Sequence, residues 1–72
     1  VGGRRMNTKQ ALAQIKKHPK WNSSTLYACG TYVIQQAEQM EYQKLISKTI
    51  MKRLITKGRE LRTEWYRMEN NT

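Results

Sequence analysis

Apolar residues recur at helical spacing in three stretches, separated by two polar breaks. In NTKQALAQIKKH (7–18), Ala11, Leu12 and Ile15 share one side, which predicts a short first helix. Asn7 or Thr8 can cap it by accepting a free backbone N–H. Lys16, Lys17 and His18 stand at its end, where the helix dipole favours cations. Pro19 is the only proline, and it biases His18 away from helical geometry. PKWNSS (19–24) then reads as a turn, with Asn22, Ser23 and Ser24 as caps for the next element.

Leu26, Cys29, Val33, Ala37 and Met40 step by 3, 4, 4 and 3, the stripe of a second helix. Gly30 and the β-branched residues of 31–34 weaken it. A strand over 31–34 would have no partner strand, so helix is preferred. Past Met40 the stripe fails, because its next positions are Lys44 and Ser47. A new stripe takes in Ile46, Ile50, Leu54, Leu61, Trp65 and Met68, with Gly58 filling its one long gap. Either the chain turns near 41–43, or one long helix changes the face it buries. The turn is preferred although no Gly or Pro marks it, which sets a third helix at about 42–68. ENNT reads as a frayed tail. The expected fold is all-α: a small three-helix domain with a long basic amphipathic C-terminal helix, expected to dimerise.

Length and composition narrow this picture. Seventy-two residues allow one domain. VGGRR precedes Met6, so residues 1–5 are expected to be a remnant of expression or a flexible arm, and 6–72 the single helical domain. The net charge is +9, and setting aside Arg4 and Arg5 leaves +7. A chain this short buries a small share of its surface. Cys29 is the only cysteine, so no disulfide supports the core. One Cys, one His and no Asp leave no metal cluster, and no cofactor is implied. Self-association as a homodimer is the remaining route to stability. No apolar run is long enough to span a membrane, and no secretory leader is expected. A lone cysteine fits a reducing compartment, so the cytoplasm is the expected location.

Charge also selects a partner. On a helical projection, Ile46, Ile50, Leu54, Gly58, Leu61, Trp65 and Met68 span roughly 120°. Lys44, Lys48, Lys52, Arg59 and Arg62 gather opposite, Arg53 and Lys57 fall near one edge of the apolar stripe, and Ile55 and Tyr66 lie within the basic face. A balanced surface would set Glu four residues before Lys or Arg. Between Tyr42 and Arg59 there is no acid at all. Lys44, Lys48, Lys52, Arg53, Arg59 and Arg62 are therefore the expected phosphate contacts. The plainer account is a solvated helix back.

Nucleic acid is the leading anion, because neutralising phosphates releases condensed counterions. DNA is favoured over RNA, although nothing here reads a 2′-hydroxyl. TKQALAQIKKHPKWNSSTLYACG (8–30) has a faint helix-turn-helix look, and Asn22, Ser23, Ser24 and Thr25 would then meet phosphates, although plain capping is their simpler use. A membrane surface would also accept a basic amphipathic helix, but the apolar stripe is needed for the core. An acidic surface of a larger protein is the competing partner, which would make the chain an inhibitor or adaptor.

The remaining residues read as structural. Trp21 is expected in the core, pinning the first helix to the second, and Trp65 in the core or a dimer interface; Tyr27 and Tyr66 are better placed for contact with bases or protein. Gly58 predicts the close approach of another helix or a break. Cys29 reads as a small buried hydrophobe and His18 as a helix-end residue. The glutamates form no paired pattern, and no glycine-rich phosphate loop occurs. An enzyme is not expected; a small DNA-binding regulator or accessory factor is.

Overall fold

Three helices carry the described chain, residues 5–71 of a computed structural model: α1 (Thr8–Lys16), α2 (Leu26–Tyr42) and α3 (Lys48–Asn70). The expected arm at 1–5 lies outside the described residues except for Arg5. Asn7 caps α1 through a reciprocal pair. Its Oδ1 accepts from the Gln10 N–H at 2.8 Å, and Gln10 Oε1 accepts from the Asn7 N–H at 3.0 Å. Two free donors of the first turn are satisfied at once.

Successive turns over 17–25 follow α1. Here the Ser23 and Ser24 hydroxyls donate to the Lys20 carbonyl at 3.2 and 2.7 Å. That leaves Thr25 to cap α2, accepting from the Ala28 N–H at 3.1 Å, in place of the three caps expected at 22–24. The helix-turn-helix reading is corrected by the same segment, since that motif joins its helices through a turn of about 3–4 residues. Residues 31–34 are helical.

The break between α2 and α3 uses no glycine. Lys44 takes a left-handed conformation (φ 62°), and it is the non-glycine residue that does so among those described. Its N–H donates to the Glu41 carbonyl, and the Leu45 N–H donates back to Met40, both at 2.9 Å. This pattern satisfies the last carbonyls of α2. Ser47 then caps α3 by accepting from the Ile50 N–H at 3.2 Å. Consequently α3 starts at Lys48, not near residue 42. Lys44 belongs to the turn and Ile46, 1% exposed, fills the core from that turn.

The two longer helices run antiparallel and cross where Gly30 meets Gly58. A Cβ on Gly58 would lie 2.6 Å from the Gly30 carbonyl oxygen, and a Cβ on Gly30 would collide with the Gly58 carbonyl oxygen. The close approach expected at Gly58 is therefore present. Around the crossing and toward the turn, Ala11, Ile15, Val33, Ala37, Met40, Ile46 and Leu54 form the core. The Met6 N–H donates to the Leu45 carbonyl at 2.9 Å, tying the entry of α1 to that turn. Ile55 also packs against this cluster, so it leaves the basic face assigned to it. At the other end α3 outruns α2: at 1.5 Å per residue it is roughly 9 Å longer. The core stripe stops there, and Met68 is 56% exposed. The molecule measures 48 × 24 × 17 Å.

Candidate nucleic-acid interface

Helical geometry decides which of the expected contacts act together. Lys48, Lys52 and Arg59 fall within roughly 40° of one another on α3, and all three are exposed. Among the described residues no hydrogen bond or ion pair occupies these three side chains. Arg53, also exposed, stands roughly 120° from Arg59 around the helix. Thr49, Thr56 and Thr63 run between the two flanks at seven-residue spacing. The Thr56 hydroxyl donates to the Lys52 carbonyl at 3.0 Å, so its proton is already used within the helix.

Arg62 is placed differently from the expectation. Its Nη2 donates to the Tyr27 hydroxyl at 2.6 Å, and its guanidinium carbon lies 4.4 Å from the centre of the Tyr27 ring. The side chain is half-buried and serves to join α3 to α2. Lys44 is exposed, ahead of the helix in the turn. Of the six expected residues, then, three share one line, Arg53 takes the other flank, Lys44 precedes them, and Arg62 is engaged elsewhere.

Two groupings were not read from the sequence. Lys57 and Lys16 line a common groove of about 370 Å³ with Trp21 and Leu61 on its walls, so the basic flank of α3 continues onto α1. Beyond Arg59, Tyr66 meets the Trp65 and Tyr27 rings nearly edge-on, at 5.2 and 5.9 Å between centres. The seven-residue spacing of Lys52, Arg59 and Tyr66 set Tyr66 on the basic face, but nothing in the sequence signalled its contact with Tyr27. Ile55 and Tyr27 are half-buried, so they do not join Tyr66 in one exposed apolar patch.

Cys29 and His18 both make contacts within the fold. Burial pushes the Cys29 thiol pKa up, and its S–H donates to the Trp21 carbonyl at 3.4 Å. His18 Nδ1 accepts from the Lys20 N–H at 3.1 Å, with its ring against Tyr32. Among the described residues, no group of three His, Cys or Glu side chains is placed to hold a metal ion, and no helix is long and apolar enough to cross a membrane. No protein-family model, curated protein or solved structure matches the chain.

Proposed function

We propose that this chain is a small non-enzymatic nucleic-acid-binding protein, DNA favoured over RNA, that contacts phosphates through α3. The observation that carries this is the line of Lys48, Lys52 and Arg59, exposed and without an acidic partner among the described residues. Like charges held at one-turn and two-turn spacing repel each other, and a polyanion relieves that repulsion while releasing its counterions. Arg53 and Lys57 extend the field on the opposite flank, and Lys44 extends it before the helix. Arg62 contributes mainly by holding α3 to α2.

A regulatory or accessory role accords with the size and charge, and a cytoplasmic location with the lone free Cys29. Self-association would use the end of α3 that outruns α2, where exposed Met68 continues the apolar side beyond the Trp65–Tyr27 contact. The acidic-protein reading loses support with Ile55 drawn into the core. A retardation assay with random-sequence nucleic acid at two salt concentrations tests the proposal. Binding that weakens steeply with salt supports it; no binding at low salt rejects it.

A further inference from the structure

The end of the basic line differs in chemistry from its beginning. Lys48, Lys52 and Arg59 are followed at the same angular position by Tyr66, an aromatic ring that is 50% exposed. That ring is not loose. It stands at 89° to the Tyr27 ring and 75° to the Trp65 ring. Tyr27 is in turn held by the Arg62 hydrogen bond and by a second edge contact with Trp65 at 5.5 Å. Beside Tyr66 lies a shallow hollow of about 280 Å³ lined by Arg59, Arg62, Thr63 and Tyr66. Its lining thus combines an oriented aromatic ring with two arginine side chains.

A side chain of this kind gains little from duplex DNA, whose bases are stacked and turned inward. It gains much from a strand whose bases are free, because every base presents a π-face and base–aromatic stacking is tolerant of sequence. From Lys48 to Tyr66 the line is roughly 27 Å long at 1.5 Å per residue, enough for several nucleotides of an extended strand. Arg62 uses one of its five N–H donors on Tyr27, and its side chain also lines the hollow. We infer that α3 binds single-stranded nucleic acid, with phosphates along Lys48, Lys52 and Arg59 and one base stacked on Tyr66. This rests on the phosphate-binding reading and adds the strand state and a base platform to it.

Strands with and without bases separate the two claims. Fluorescence anisotropy would measure binding of labelled twelve-residue oligothymidylate, oligouridylate, an abasic strand of equal length and a mixed-sequence duplex. The wild type should bind an intact single strand on the order of 10- to 100-fold more tightly than the abasic strand, the range one base–aromatic stack supplies. Tyr66→Ala should remove most of that difference and Tyr66→Phe should keep it, with helical content checked for both. Preference for the thymidylate or the uridylate strand would say whether DNA or RNA is the source, and either supports the inference. Equal binding of intact and abasic strands, or a duplex preference that Tyr66→Ala does not change, overturns the base platform and leaves phosphate binding standing. Binding to none of the four overturns both.

Discussion

Gly30 and Gly58 each fill the space where the other's side chain would be. A Cβ at 58 would meet a backbone oxygen at 2.6 Å, and the neighbouring Ile34 Cγ1 at 2.7 Å. Backbone oxygen cannot move aside as a flexible side chain can. Gly58→Ala should therefore destabilise the fold even though Ala favours a helix interior by about 1 kcal/mol. Gly58→Leu should cost more, about 1–3 kcal/mol or beyond, through overpacking. Urea denaturation of both variants checks this. Stabilisation by both would mean the helices do not cross here.

Lys44 gives the opposite expectation. Its left-handed backbone is strained for a residue with a Cβ and free of that strain for glycine. Lys44→Gly should raise stability by up to about 1 kcal/mol in the same denaturation experiment. A loss of stability would contradict the turn geometry.

Arg62 should separate from its basic neighbours. Lys48→Ala and Lys52→Ala remove exposed side chains and should change stability by less than about 0.5 kcal/mol. Arg62→Ala loses a charged hydrogen bond and a cation–π contact, and should cost about 1–2 kcal/mol. Tyr27→Phe keeps the ring contact and loses the hydroxyl acceptor, so it should fall between them. Equal thermal midpoints for all four variants would contradict the Arg62–Tyr27 link.

Cys29 should resist modification. The thiolate is the reactive form, and burial both raises its pKa and blocks access. Alkylation by iodoacetamide near neutral pH should be slow in the native protein and fast in urea. Equal rates in the two conditions would place the thiol at the surface.

Much of the fold was legible in the sequence, and the exceptions have physical causes. Asn7 and Pro19 bracket α1 with local chemistry, and the apolar steps from Cys29 to Met40 match the buried face of α2. The start of α3 was not legible because the chain turns on a left-handed lysine, where a glycine would have marked the stop. Ile46 consequently packs from a turn and not from a helix. For the candidate interface, the line of Lys48, Lys52 and Arg59 follows from periodicity alone. Arg62 could not be assigned in that way, since the Tyr27 hydroxyl that claims it lies 35 residues away in sequence. Neither could the groove shared by Lys16 and Lys57, which exists only after α1 docks.

Phosphate binding by the exposed cations of α3 would show itself in the salt dependence of affinity. Binding of a nucleic-acid strand would be measured over a series of salt concentrations for the wild type, Lys48→Ala, Lys52→Ala and Arg59→Ala. Log K should fall linearly with log salt. Each variant should weaken binding by a similar factor for every sequence, with the slope reduced by about one unit per lost contact. Unchanged affinity and unchanged slope in all three variants would contradict phosphate binding and leave α3 with a merely solvated back.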